Sequence, residues 1–304
     1  VNNPLTEEGR DRIAAKLPEA MRIAQDALMF YEKNMDKWAE EIEHFGKFPS
    51  LFMALVAEDG SWEHYGGRIR FVDADRRVVA DGLDPGRYQE YIGEAVESWS
   101  YLKFPYYKPY GYPEGMYRVG PLARLNCCER FGTKLADEAL SRFRAAAGGQ
   151  AVTASFHYHW ARLIEILGAL EKIEELLSAP EILSPRVRAE AGINELEGVG
   201  VHEAPRGTLF HHYVVNETGV IQSVNLIIST GHNNLAMNRT VAQIAEHWLS
   251  GREITEGLLN RLEGGIRAYD PCLSCSVHAV GEMPLRVVLL GPDGEVLAER
   301  TRGA

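Results

Sequence analysis

The sequence feature that most constrains the fold is a long run of apolar residues at helical spacing near the start of the chain. Within residues 18–45, apolar side chains including Met21, Ala24 and Leu28 recur every three to four positions, and the run stops before Gly46. This spacing places the apolar residues on one face of a helix, and a glycine is a common helix stop. The sequence therefore predicts one long amphipathic helix here.

Patterns typical of strands, turns and further helices follow this first helix. Residues 51–80 contain strand-like runs punctuated by Asp-Gly and Gly-Gly turns, which predict a small β-meander. A strand pair is predicted over about 208–229, turned at residues 216–219, and a hairpin is predicted around Gly291–Gly294. Helical spacing predicts further helices over about 88–99, 133–147, 159–178, 239–249 and 253–269. With no internal repeat, the predicted fold class is mainly α with β-hairpin insertions, an α+β fold.

Charge and hydropathy exclude several classes of function. The formal net charge of −11 argues against a nucleic-acid partner, because nucleic-acid binders need a basic surface. The longest apolar runs fall far short of the roughly 20 residues that a transmembrane helix needs. The first residues also lack the basic and apolar regions of a secretion signal, so we expect a cytoplasmic protein with no transmembrane segment.

The sharpest chemical signal is a pair of cysteines near the C-terminus. Cys272 and Cys275 follow Asp270 and Pro271, residues expected at the cap and first position of a helical turn. Such a turn would direct both thiols, and His278 three residues later, toward one centre. Soft thiolates select zinc, copper(I), nickel or iron over magnesium, so the motif alone indicates a metal without saying which. The other two cysteines, 127 and 128, are adjacent in sequence and are expected to be structural.

The surrounding sequence resembles the large subunit of nickel–iron hydrogenases. "RAYDPCLSCSVHA" is similar to the C-terminal signature of that family. Four further stretches are similar to family segments in the same order: "MYRVGPLARLN", "EAPRGTLFHHY", "NLIISTGHNN" and "ITEGLLNRLEGGIRAYDPC". They most resemble the cytoplasmic, multi-subunit branch, whose partner subunits pass electrons to NAD(P), a deazaflavin or a heterodisulfide-reducing complex. The resemblance covers essentially the whole chain and implies a helical core like that of the hydrogenase large subunit.

The resemblance implies the metals and their ligands. Cys272 would be a terminal nickel ligand, and Cys275 would bridge nickel and an iron that carries CO and cyanide. His278 would bind a structural magnesium ion. The implied reaction is the reversible splitting of dihydrogen into a hydride and a proton, with a terminal thiolate or Arg206 as the proton acceptor. The chain has no cysteine set for an iron–sulfur cluster, so a partner small subunit would carry those clusters.

The resemblance also implies the surroundings of the metals. Arg206 would hold its guanidinium over the metals, and Asp270 would contact Arg206. Pro205 and Thr230 would pack against, or hydrogen-bond to, the cyanide ligands of the iron. Glu203 has two interpretations, a proton gate or a structural carboxylate beside Arg206.

The sequence departs from the family at both ends. The family takes two more thiolates from an N-terminal Arg-x-Cys-Gly-x-x-Cys motif, which is absent from these 304 residues. We therefore expect residues 1–278 to be the C-terminal part of the large-subunit domain, inactive by itself. Residues 279–304 resemble an extension that a maturation protease removes by cutting after His278.

Two other functions remain open from the sequence. One is a non-catalytic relative that serves as a structural subunit of a respiratory complex, although such relatives have generally lost the cysteines. The other is a zinc-binding module that uses Cys272, Cys275 and His278 with one further ligand. The remaining histidines singled out by their spacing are expected to be structural, namely His157, His159, His211, His212 and His232.

Overall fold

The computed structural model of the protein describes residues 3–188, 195–249, 251, 253–273 and 284–303. Across these ranges the α-helices are α1 (Glu7–Ala14), α2 (Leu17–Asn34), α3 (Ala39–His44), α4 (Pro121–Cys127), α5 (Lys134–Ala145), α6 (Tyr158–Leu177), α7 (Ser229–His232), α8 (Asn234–Trp248) and α9 (Glu256–Ala268). The strands are β1 (Leu51–Val56), β2 (Arg68–Val72), β3 (Val78–Leu83), β4 (Ile92–Val96), β5 (Lys103–Tyr107), β6 (Tyr117–Arg118), β7 (Glu197–Ala204), β8 (Gly207–Val215), β9 (Ile221–Ile227), β10 (Leu285–Leu290) and β11 (Val296–Arg302). This mixture of helices and strands confirms the predicted α+β class.

The long first helix is broken near its C-terminal end, so the prediction of one helix over 18–45 is wrong in that part. A 3-10 turn over Met35–Trp38 separates α2 from α3. Trp38 leaves the helical region with φ −112° and ψ 20°, and its ring packs 5.4 Å from that of Tyr31. The glycine stop is where the sequence predicted it, because Gly46 has a φ of +69°. A Cβ there would also meet the hydroxyl of Thr240 at 2.4 Å.

A four-stranded sheet in the order β3-β2-β1-β6 forms the centre of the molecule. Strand β1 is buried along its whole length, since its six residues are apolar on both faces. It pairs antiparallel with β2, with Met53 opposite Phe71, and parallel with β6. The helices α2, α4, α5 and α6 contribute to the core on one face of β1, and strand β8 to the core on the other. A near-continuous apolar strand is what burial on both faces requires.

Two segments differ from the sequence predictions. Residues 88–99 were predicted to be helical, but β4 lies here and pairs with β5, with Gly93 opposite Tyr106. The strand pair predicted over 208–229 is β8 and β9, and β7 joins it to make a three-stranded sheet. Phe210 of β8 faces inward from that sheet and is fully buried against Tyr88.

The C-terminal hairpin of β10 and β11 packs against α8 and α9. Its apolar residues, including Val287 and Leu289, cover a core cluster that contains Leu258 and Leu262. At the rim, Arg302 pairs with Glu256 and with Glu263. The hairpin is therefore docked on the helix that leads to Asp270. The end of the predicted domain at residue 278, with Cys275 and His278, lies outside the described residues.

The other predicted helices are found within a few residues of their expected positions, as α5, α6, α8 and α9. Among the described residues, none of these helices is long and apolar enough to cross a membrane.

Candidate metal centre

The loop that carries Arg206 is a tight turn between β7 and β8, pressed against the start of α4. A Cβ on Gly207, which has a φ of +137°, would lie 2.4 Å from Val119 Cγ2. A Cβ on Gly120, the residue that caps α4, would lie 2.6 Å from the carbonyl oxygen of Arg206. Two backbones approach this closely only where side chains are missing. The backbones of the "APRG" and "VGP" segments therefore pack directly against each other.

Arg206 and Asp270 are brought together across 64 residues of sequence. The Nε of Arg206 donates to the backbone oxygen of Asp270 at 2.7 Å and lies 3.1 Å from its carboxylate Oδ2. Both side chains are close to half exposed. Asp270 has a φ of +52°, in the left-handed region, and directly follows Tyr269, the residue that caps the C-terminus of α9. The helical turn expected to start at Pro271 has its first helical residue at Leu273 instead.

Cys272 lies against the short helix α7. Its backbone N–H donates to Thr230 Oγ1 at 3.1 Å. The preceding residue in that helix, Ser229, donates its hydroxyl to the backbone oxygen of Gly207 at 2.7 Å, which joins α7 to the Arg206 loop. The Cys272 sulfur is in a disulfide in this structure, so a metal would require its reduced, thiolate form. The other expected ligands, Cys275 and His278, lie outside the described residues.

The Glu203 carboxylate is held by Arg124, Leu55 and Thr208, whereas the ion pair of Arg206 is with Asp270. The carboxylate of Glu203 is fully buried and lies 2.9 Å from Nη1 of Arg124. The other oxygen accepts from the backbone N–H of Leu55 at 2.9 Å and from the hydroxyl of Thr208 at 2.6 Å. A carboxylate with fixed donors on both oxygens favours the structural interpretation over a proton gate.

Arg124 and Glu165 belong to this region and were missed in the sequence. Arg124 lies on α4 and Glu165 on α6, and both of the carboxylate oxygens of Glu165 accept from Arg124 at 2.6 Å. Burial alone would lower the pKa of Arg124, but Glu165 and then Glu203 raise it above its ordinary value. The signal in the sequence was an arginine inside the largely apolar "GPLARLNCC" segment, since a buried arginine needs a partner.

Two histidines near the site are neutral. His232 lies at the end of α7, and a hydrogen bond of 2.5 Å joins its Nδ1 to the Tyr117 hydroxyl. Burial lowers the pKa of His232 to about 3. His159 on α6 is partly buried, and burial together with Arg162 lowers its pKa to about 4 against the opposing effect of Asp270. Neutral rings at these two positions add no positive charge to this region.

The described residues hold only some of the donors that a metal site would need. They contain no group of three histidine, cysteine, aspartate or glutamate side chains that could hold a metal. What they do contain is one sulfur donor at Cys272, a half-exposed guanidinium at Arg206 and a hydroxyl at Thr230, joined by the hydrogen bonds above. A soft metal bound by sulfur next to a fixed positive group fits this donor chemistry, and the remaining ligands must come from elsewhere.

Comparisons with known proteins give a consistent result. A family model described as nickel-dependent hydrogenase matches residues 45–278. The chain is 44% identical over 315 residues to the NAD-reducing hydrogenase HoxS subunit beta of Cupriavidus necator, covering 99% of this chain and 64% of that protein. It is 40% identical over 246 residues to an F420-non-reducing hydrogenase vhu subunit of Methanococcus voltae, covering 81% of this chain and 58% of that protein.

A solved structure agrees. The crystal structure of an NAD+-reducing NiFe hydrogenase in the H2-reduced state matches with a TM-score of 0.86 and 42% identity, covering 91% of this chain and 61% of that one. The chain thus spans about three-fifths of the length of each of these relatives.

Proposed function

Because the chain belongs to the nickel-dependent hydrogenase family, we propose that it is part of the catalytic subunit of a nickel–iron hydrogenase. The proposed reaction is the reversible, heterolytic splitting of dihydrogen. The observation that carries the proposal is the 44% identity to a hydrogenase subunit over 99% of this chain. Since the chain spans about three-fifths of such relatives, the activity is proposed for the whole subunit rather than for these 304 residues alone.

The proposed ligands are the two cysteines of the C-terminal motif. Cys272 would hold nickel as a terminal ligand, Cys275 would bridge nickel and an iron with CO and cyanide ligands, and His278 would hold magnesium. When bound, a soft bimetallic centre supplies the polarisation that separates dihydrogen into two unequal halves. The hydrogen bond from the Cys272 N–H to Thr230 supports this assignment, because it fixes the backbone from which the sulfur projects.

Arg206 is the proposed electrostatic group of the site. Its contact with Asp270 restrains the guanidinium at the end of the segment that leads to Cys272. A planar guanidinium stays charged across the physiological pH range and presents its donors in a fixed fork, which suits small anionic ligands. A terminal thiolate would accept the proton, because a guanidinium that stays charged has no lone pair to take it. Pro205 and Thr230 would line the side of the iron that carries cyanide.

The proposed partners are those of a multi-subunit hydrogenase, the kind of assembly to which the relatives belong. Electrons would leave through a small subunit with iron–sulfur clusters, and from there to subunits linked to NAD(P), a deazaflavin or a heterodisulfide reductase. A maturation protease acting after His278 would remove residues 279–304. The proposed location is the cytoplasm.

The test is nickel loading of the native complex and of one cysteine variant. We expect nickel in the wild-type complex and dihydrogen-dependent reduction of an artificial electron acceptor, with both lost in Cys272→Ser because a hydroxyl is a poor ligand for soft metals. Cys128→Ala is the matched control. Burial raises the pKa of the Cys128 thiol to about 12, so that thiol is inert, and its variant should retain nickel.

Other outcomes would assign a different function. Stoichiometric zinc without nickel in the wild-type protein would instead support a zinc-binding module at Cys272. A respiratory complex that contains the chain without any metal would identify it as a structural relative.

A further inference from the structure

We propose that Arg124 is a positioning residue that sets the direction of Arg206, by fixing the backbone of the turn that carries it. This inference rests on the proposed function only for the role of Arg206. The turn itself is a described part of the structure and can be tested without any metal.

The Arg124 guanidinium is buried, and all five of its N–H groups are used. Nε and Nη2 donate to the two carboxylate oxygens of Glu165, both at 2.6 Å. Nη1 donates to Glu203 Oε2 at 2.9 Å and to the backbone oxygen of Ala204 at 2.9 Å. The second hydrogen of Nη2 reaches the backbone oxygen of Pro205 at 3.0 Å. One carboxylate is enough to balance the charge of the guanidinium and Arg124 has two, so the bonds to the two carbonyls are not needed for charge balance and instead tie Arg124 to the turn.

These two carbonyls control the orientation of Arg206. The Pro205 carbonyl belongs to the same planar peptide unit as the Arg206 nitrogen, so holding that oxygen fixes the plane from which Arg206 departs. The proline ring also fixes the φ angle of Pro205 itself. On the far side, the carbonyl of Arg206 packs against Gly120, one turn of α4 before Arg124. The side-chain torsions of Arg206 are the main freedom left, and they direct it to Asp270.

Arg124 is itself held from several elements. Glu165 accepts a third hydrogen bond from Trp62 Nε1 at 3.2 Å. The second oxygen of Glu203 is held by Leu55 and Thr208, and its backbone N–H donates to His64 O at 2.9 Å. The guanidinium is therefore fixed by α6, β1 and β7 before it meets the turn, as a positioning group must be.

Lysine at position 124 separates charge from geometry. An ammonium keeps the positive charge beside Glu165 and Glu203, but its three hydrogens cannot reproduce a planar fork that serves two carboxylates and two carbonyls. Arg124→Lys should thus release the turn while the buried carboxylates keep a cation.

Arg118 provides the matched control. It is also fully buried, and its guanidinium donates to the carbonyls of Gly46, Phe48 and Thr153 and to two serine hydroxyls, but to no atom of residues 203–207. Arg118→Lys should cost global stability in a similar way and leave the Arg206 turn in place.

The experiment is amide hydrogen exchange within residues 204–208, at every position except Pro205, which has no amide hydrogen, in the native complex of wild type, Arg124→Lys and Arg118→Lys. We expect exchange at 204–208 to be at least about tenfold faster in Arg124→Lys, equivalent to about 1.4 kcal/mol of local opening. In Arg118→Lys it should stay within about threefold of wild type. Equal protection of the turn in Arg124→Lys and wild type, or equal acceleration in both variants, would overturn the proposal.

Two further measurements complete the test. If Arg124→Lys does not fold, Glu165→Gln removes the charge that anchors Arg124 and should raise exchange at 204–208 by a smaller factor; unchanged exchange would overturn the proposal. In nickel-containing complexes, turnover per bound nickel should fall in Arg124→Lys and not in Arg118→Lys. A wild-type complex without hydrogenase activity would defeat the proposed function but leave the exchange result to decide the role of Arg124.

Discussion

Two buried histidines, His157 and His232, predict that the protein loses stability between pH 6.5 and pH 5. The pKa of His157 is lowered to about 4, chiefly by burial and secondly by Lys47, and its Nδ1 is 3.1 Å from the Tyr31 hydroxyl. The pKa of His232 is lowered to about 3 by burial, beside the Tyr117 hydroxyl. Each ring stays neutral in the folded state over a range where it binds a proton in the unfolded chain.

The sign and size of this change in the free energy of unfolding follow from proton linkage. The folded-state pKa values lie below the ordinary value, so the stabilisation is complete above about pH 6.5 and is lost as the pH falls toward the folded value. At pH 5, about 1.5 units below the ordinary histidine pKa, each buried ring lowers the free energy of unfolding by about 2 kcal/mol relative to neutral pH. The two together remove about 4 kcal/mol, a large part of a typical total of about 5–15 kcal/mol. Carboxyls with a lowered pKa, such as Asp81 beside Arg70, remain ionised in this window.

The assay is the free energy of unfolding from urea titrations at pH 7, 6, 5.5 and 5. In His157→Asn, the amide keeps a polar partner for Tyr31 but does not titrate, so the slope between pH 6 and 5 should decrease by about 1 kcal/mol per pH unit. Val224→Ala, at an exposed position on β9, changes no titrating group and is the control; it should follow the wild-type slope. Equal slopes for His157→Asn and wild type would refute the reasoning, because they would mean that the His157 ring takes up protons freely in the folded state.

Two further predictions concern packing. Phe210→Ala should lower the free energy of unfolding by about 3–5 kcal/mol, because it leaves a cavity at a fully buried site. The control, Val224→Ala on the exposed face of β9, should change it by less than about 1 kcal/mol. Equal losses for the two variants in chemical denaturation would contradict this prediction. Arg302→Ala should weaken docking of the C-terminal hairpin only slightly, since its ion pairs are partly exposed and screened by solvent. Leu289→Ala, which removes an apolar contact with the core, should weaken docking more, and protease sensitivity of the hairpin is the measurement.

The parts of the fold that the sequence predicted are those governed by local pattern. Helices such as α6 and α9 show their amphipathic spacing over three or more turns, and the meander shows its turn residues. The predictions fail where contacts with distant parts of the chain determine the local structure. Residues 92–96 have apolar spacing compatible with a helix, yet they form β4 because β5 pairs with them. Strand β7 was not predicted, because glycines at positions 198 and 200 interrupt the alternation of apolar and polar residues that indicates a strand.

The candidate site divides in the same way. Cysteine spacing and the family resemblance selected Cys272, Arg206, Asp270 and Thr230, and the predicted large-subunit-like fold is confirmed by the structural match. The Arg124–Glu203 pair joins residues 79 positions apart, so no local pattern announces it. An apolar helix with one arginine predicts only that a partner exists. Which carboxylate supplies it depends on how α4, α6 and β7 assemble.

The docked C-terminal hairpin has a consequence for any cut in residues 274–283. Because β10 packs back onto the helices that precede the motif, the severed hairpin would remain a bound peptide with its own dissociation constant. Loss of the covalent tether would replace a high effective concentration with the actual concentration of the peptide, so dilution would decide whether it stays. Its partly exposed pairs with Glu256 and Glu263 weaken in salt, which would speed its departure. Cleavage and release would then be two separately measurable events.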